Sequence, residues 1–300
     1  VSWRKVNLGY LCGDWTSPAV TTRGASVADW VESNIPGNWY ISSAAKAGWQ
    51  FLRSSNVRRS SLVVADFNGD RQDDVAYGDG SQWRVAWSAR GDWKALSSER
   101  ALPSSVLVGD FNGDGRSDLF ITDGGRWYVR HSGTAARLDL GSSSIIASNL
   151  LVGDFDGNGR SDVLYANGSS WRVKWGGTGS WRTLATDTAT KVSLRVADLN
   201  GDGRDDVVVT RSGRWYVRYG GTGELSSLTS SSVVAAELLV GDLNADGRDD
   251  LLYPSGASWR VKYAGTGAWA RVNYAGGTAS TLLLGRFNGE AGVDVLQATR

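Results

Sequence analysis

The chain has one cysteine (Cys12), one histidine (His131), no methionine and only four prolines in 300 residues. A single cysteine excludes an intrachain disulfide, so stability has to come from packing and bound metal, and the expected thiol is buried and inert. No zinc motif, nucleophile elbow or phosphate loop is present. No apolar run approaches the roughly 20 residues of a membrane span, so membrane insertion is not expected, and no signal peptide is recognisable. Charge of one sign is also lacking. Lys plus Arg number 32 against 31 Asp plus Glu, which predicts no nucleic-acid partner from bulk electrostatics.

What is present is glycine (39), tryptophan (15) and short β-branched runs such as SVLVGDF, DLFIT and RWYVRH, punctuated by Gly/Asp/Ser clusters. That pattern predicts many short strands joined by tight turns. One segment returns at a fixed interval. DFNGDRQDD begins at Asp66, DFNGDGRSD at Asp110, DFDGNGRSD at Asp154, DLNGDGRDD at Asp198 and DLNADGRDD at Asp242, a period of 44 residues. A worn copy, RFNGEAGVD, begins at Arg286. A period of this length means one supersecondary unit stacked on copies of itself.

Within one unit, LLVGDF (150–155), DVLYANG (162–168), SWRVKWGG (170–177) and SWRTLAT (180–186) read as four strands, with the acidic loop after the first. Four short antiparallel strands per unit match a blade of a β-propeller, giving an all-β single domain over 1–300. The last copy stops after its second strand, while SWRKVNLG (2–9) and GDWTSPAV (13–20) resemble third and fourth strands. A seven-bladed ring is therefore expected, its seventh blade shared by 281–300 and 1–25. The first blade would be a degenerate copy over 26–60 (SVADW, NWYIS, WQFLRS), with the second to sixth blades over 61–280. Six blades plus an unrelated N-terminal segment is the alternative. Third strands alternate between WRV (Trp83, Trp171, Trp259) and WYV (Trp127, Trp215), an 88-residue super-repeat.

The acidic loop places oxygen donors at its first, third, fifth and ninth positions, with the seventh carbonyl as a further donor. Hard oxygen ligands and a glycine at the sixth position favour Ca2+. Asp110, Asn112, Asp114 and Asp118 form a complete set, as do Asp154, Asp156, Asn158 and Asp162. Asp198, Asn200, Asp202 and Asp206 form a third, and Asp242, Asn244, Asp246 and Asp250 a fourth. Asp66, Asn68, Asp70 and Asp74 form a fifth, with Arg71 where glycine is wanted. The copy at Arg286 has lost its first aspartate and is expected to hold no metal, the guanidinium pairing with Asp294 instead. About five structural Ca2+ sites follow.

These loops resemble the FG-GAP/VCBS repeat family, the calcium-loop propellers of integrin α-subunit heads and many secreted bacterial proteins; the resemblance covers Ser61 to Arg300. It implies a calcium-stabilised propeller outside the cell, where millimolar calcium fills such sites. Relatives include lectins for sugars such as N-acetylglucosamine, polysaccharide lyases and adhesive modules of secreted proteins. A glycan-binding function is expected here, because indole rings and arginines recur around the ring and weak sites would act together. The one-per-blade tryptophans of the third strand read as core. The candidate sugar platforms are the aromatics that vary between blades, Trp87, Trp175, Tyr219 and Tyr263, then Trp93, Trp181 and Trp269. An accessory protein-binding module and a lyase are the alternatives. His131 occupies the position of Trp87 in its own repeat and reads as a lone ring with no catalytic partner. The start at Val1, inside a strand pattern, suits a chain whose leader has been removed.

Overall fold

The structure, a computed structural model, describes residues 37–45, 48–255, 258–273 and 277–298. In the unit that begins at Leu150 the strands are Leu150–Gly153, Asp162–Ala166, Trp171–Lys174 and Arg182–Ala185, antiparallel throughout. They fall inside the four segments that the pattern predicts. Register slips by one residue just after Trp171, and every blade has an equivalent bulge between its third and fourth strands. Such a bulge twists the outer strand away from the ladder and blunts an exposed edge.

Six four-stranded sheets form among the described residues. We letter them as blades A (63–97), B (106–142), C (150–185), D (194–230), E (239–273) and F. Blade F joins Leu282–Gly285 and Asp294–Ala298 to Gly37–Ser42 and Gln50–Ser55. The expected seven blades are thus corrected to six. A two-plus-two clasp does close the ring, but NWYIS and WQFLRS supply it and do not form a separate blade over 26–60. Segments 2–9, 13–20 and 26–30 lie outside the described residues.

A circle of hydrogen bonds shows why no further blade fits. The eighth residue of each acidic loop donates its N–H to the carbonyl of the first residue of the loop before it. Ser117 donates to Asp66, Ser161 to Asp110, Asp205 to Asp154, Asp249 to Asp198 and Val293 to Asp242, at 2.6–2.8 Å. Asp73 donates to Arg286 at 2.6 Å and closes the circle. A seventh blade would have to separate those two loops, which touch directly. First strands of neighbouring blades also meet around the axis, so all six loops lie around one pole of the ring.

The core lies between blades. Trp39, Trp83, Trp127, Trp171, Trp215 and Trp259 are at most 1% exposed, one per blade at one register. Four of these indoles donate to the carbonyls of Ala101, Ile145, Ala189 and Val233, which satisfies a buried N–H. Interfaces come in two kinds. At F/A, B/C and D/E a fourth-strand indole packs edge-on against the buried one: Trp93 on Trp39, Trp181 on Trp127, Trp269 on Trp215. At A/B the buried Glu99 instead receives Arg130 and Arg137, and at C/D Asp187 receives Arg211 while Arg218 lies over Trp171. Blade F departs from this alternation. It has Ser42 and Trp49 where blade B has Arg130 and Arg137, and Trp49 packs edge-on against Trp259.

Candidate functional site

Each acidic loop is wound by its own first carboxylate. In blade C, Asp154 accepts the N–H groups of Gly157, Asn158 and Gly159 at 2.7–3.2 Å. Gly157 and Gly159 take φ of +73° and +79°, which glycine adopts without strain. The ninth residue does different work. Asp162 is fully buried and accepts Phe155 N–H at 3.0 Å and Gly176 N–H at 2.8 Å, tying its loop to the turn after the third strand. Asp74, Asp118, Asp206 and Asp250 make the same pair of bonds in their blades.

Burial pushes the Asp162 carboxyl up to about 7; the two N–H donors oppose the shift, and the charges of Asp156 and Asp154 add to it. Asp74 and Asp206 are each pushed up to about 6 for the same reasons. A carboxylate held dry among like charges favours its protonated form, and a cation beside it would favour the charged one. Carboxylate oxygens of Asp154, Asp156 and Asp162 all lie within 4.8 Å of one another, a convergence suited to one hard ion. The residues that would hold it are Asp154, Asp156, Asn158 and Asp162. The other complete sets carry an asparagine at the third position, and in each of them its amide donates to the fifth-position aspartate at 2.9–3.0 Å.

In the F loop the expected pairing of Arg286 with Asp294 is not formed. Asp294 accepts Phe287 N–H and the amide of Asn288, 3.2 Å from its other oxygen, and the same amide reaches Ser43 Oγ at 2.8 Å. An amide donor so close is shorter in reach than a guanidinium that starts eight residues earlier, and the arginine is left facing outward.

The turn after the third strand presents the variable aromatics. Trp87 and Tyr219 are 37% and 41% exposed, while Trp175 and Tyr263 are half-buried. The next residue in each turn donates to the ninth-position aspartate, which fixes these rings at the loop pole. The turn also backs onto the preceding blade: a Cβ placed on Gly220 would lie 3.5 Å from the Phe155 carbonyl. In blades C and D these turns therefore lie against the acidic loop of the preceding blade. Trp93, Trp181 and Trp269 are placed otherwise. They are half-buried in the edge-on pairs described above, flanked by Arg53, Lys174 and Lys262.

Residues 66–121, 110–165, 154–209 and 198–253 each match the FG-GAP-like repeat. The chain belongs to this family. No curated protein sequence matches it. Among solved structures, the FG-GAP ring is similar to part of the Photorhabdus luminescens Tc holotoxin pore (17% identity, TM-score 0.58), covering 87% of this chain and 14% of that one. It is similar also to an Agrocybe aegerita lectin specific for non-reducing terminal N-acetylglucosamine (12% identity, TM-score 0.55), covering 87% of this chain and 95% of the lectin. BBS1N in its complex with ARL6DN gives 16% identity and a TM-score of 0.50 over 84% of this chain and 82% of that one. At these identities the likeness is one of fold.

Two features of the FG-GAP loops escape a reading of spacing alone. His131 Nδ1 lies 3.0 Å from Asp118 Oδ2, so the only imidazole of the chain sits against a ninth-position carboxylate. The seventh loop residue lies over the fourth residue of the preceding loop: Arg116 over Gly69, Arg160 over Gly113, Arg204 over Gly157, Arg248 over Gly201. Where the fourth residue is Ala245, the seventh residue opposite is Gly292. No signal in the spacing of one loop reports this, because the two partners belong to different blades.

Proposed function

We propose that this propeller binds carbohydrate outside the cell, in the crevices between neighbouring FG-GAP loops, with Ca2+ holding those loops in shape. The observation that carries the reading is the pair of exposed rings, Trp87 and Tyr219, at equivalent positions in blades A and D, each on a turn tied to the acidic loop of its own blade through Asp74 or Asp206. An aromatic face flanked by carboxylates and amides suits the C–H face and hydroxyls of a sugar. Trp175 and Tyr263 offer the same chemistry with less exposed surface. Several equivalent crevices on one rigid ring would raise avidity for a multivalent glycan without strengthening any one contact. The sugar-binding lectin among the structural neighbours supports the fold's suitability for this task. Calcium would act as a clip, adding stability in proportion to its occupancy of the folded state.

The test is retention on a glycan array of the calcium-loaded chain and of the double variant Trp87→Ala/Tyr219→Ala. Retention of one sugar class that weakens about tenfold in the variant, or about 1.4 kcal/mol, is the expected result. The variant's melting temperature should stay near that of the parent, since both rings are exposed. Equal retention by the two proteins, or none by the folded parent, would contradict the reading.

A further inference from the structure

The loop pole is nearly six-fold, and its departures from the repeat gather at one place. Between the E and F loops lies a cavity of about 420 Å3. It exists because two small residues face each other there. Gly292 stands where four of the other loops place an arginine, and Ala245 has no side chain of the next loop lying over it. The cavity is lined by Arg286, which occupies the position of the first aspartate, and by Arg71, which occupies the position of the loop A glycine. Neither guanidinium makes a salt bridge or a side-chain hydrogen bond among the described residues; both residues bond only through their backbone.

Arg71 is held at φ +67°, the left-handed region where the four other complete loops have glycine. A non-glycine residue kept in that region is strained, and such strain concentrates where a side chain is needed for function. Of the acidic groups near the cavity, Asp242 accepts the N–H groups of Asp246 and Gly247 in its own loop, and the half-buried Asp73 accepts the Arg286 N–H at 2.8 Å, close enough for its charge to act on that arginine. Glu290 lies at the exposed rim. Two arginines without a side-chain hydrogen bond or salt bridge line one cavity of small-ligand size and offer a receptor for an oxyanion, since the planar fork matches a carboxylate or sulfate with two parallel donors.

We infer that this cavity binds the acidic group of a charged glycan, a uronate carboxylate or a sulfate ester, through Arg71 and Arg286. The inference rests on the carbohydrate reading and names a separate site for it, one per ring. The loss of metal ligands in the F loop is then the change that built the site, for an aspartate at position 286 would repel the ligand that an arginine attracts.

The experiment is an array carrying neutral, uronate-bearing and sulfated glycans, probed with the calcium-loaded full chain and with Arg286→Ala and Arg71→Gly. Acidic glycans should be retained by the parent and weakened at least about tenfold in either variant, with neutral glycans unchanged. The uronate and sulfate arms decide which oxyanion is bound. Arg71→Gly restores the repeat residue, so its melting temperature should rise while its affinity falls; an arginine that merely supported the loop would lower both. Retention of neutral glycans alone, or of acidic glycans equally by parent and variants, would overturn the site and leave the crevice reading intact. Acidic retention lost in the arginine variants but untouched by Trp87→Ala/Tyr219→Ala would support this site while contradicting the crevices. Absence of any retention would overturn both.

Discussion

In the C loop, a Cβ added to Gly157 would come within 2.8 Å of Arg204 Cγ, at a backbone φ of +73°. The conformation strains a side chain there, and Arg204 occupies the space that one would need. Gly157→Ala is therefore expected to destabilise the chain by about 2 kcal/mol, measured by urea unfolding in chelator so that metal does not mask the effect. Arg204→Gly should restore a good part of that loss in the double variant, because it recreates the natural pair Ala245 and Gly292. Equal losses with and without the arginine would show that conformation alone decides the position. The spacing of the loops makes this glycine look like an ordinary turn residue. Its second task depends on the neighbouring blade and could be read only once the ring was closed.

Glu99 is 2% exposed and bonded by Arg130 and Arg137 at 2.7–2.9 Å. Burial works against its charge, but the hydrogen bonds from Arg137, the Ala101 N–H and Arg130 hold its pKa down at about 2. A carboxylate with a lowered folded pKa contributes stability that is complete above the unfolded value of about 4.5 and disappears as pH falls towards 2. The stability difference between the parent and Glu99→Gln should thus be largest at neutral pH and shrink between about pH 4.5 and 2, followed by urea midpoints across that range. Glu99→Ala alone should cost about 3 kcal/mol, since it leaves Arg130 without its carboxylate and Arg137 with only the exposed Asp123. The chain also contains an uncharged counterpart of the two arginines, Ser42 and Trp49 in blade F, and the repeat aligns Ala275 with Glu99 in sequence. The triple variant Glu99→Ala/Arg130→Ser/Arg137→Trp imports those residues and should recover most of the loss in the same unfolding measurement. The alternation of interfaces was legible as the 88-residue pattern of tryptophans. That two of the intervening interfaces, A/B and C/D, are closed by buried carboxylates paired with arginines was not, because at A/B the carboxylate and its arginines lie 31 and 38 residues apart and in different blades.

At the scale of the whole molecule, the period, the four strands per blade and the clasp between the two halves of a shared blade were all readable from the repeat. The number of blades was not. SWRKVNLG and NWYIS fit the third-strand pattern equally well, and nothing local tells which of them meets the C-terminal strands. The choice is made by the circle of loop bonds, in which Asp73 and Arg286 close at six. The acidic loops were legible as repeats at one pole, whereas the cavity at Arg71 and Arg286 was not, since it is built from departures that lie far apart in the chain. We propose that five of the six loops at this pole are cation clips and that the sixth has been released from that duty. Native mass spectrometry of the chain in millimolar calcium, paired with calorimetry before and after chelation, tests it most directly. Five bound ions, and a melting temperature that falls by about 10 °C or more on chelation, is the predicted result. A chain that takes up no calcium, or melts at the same temperature with and without it, would contradict the account.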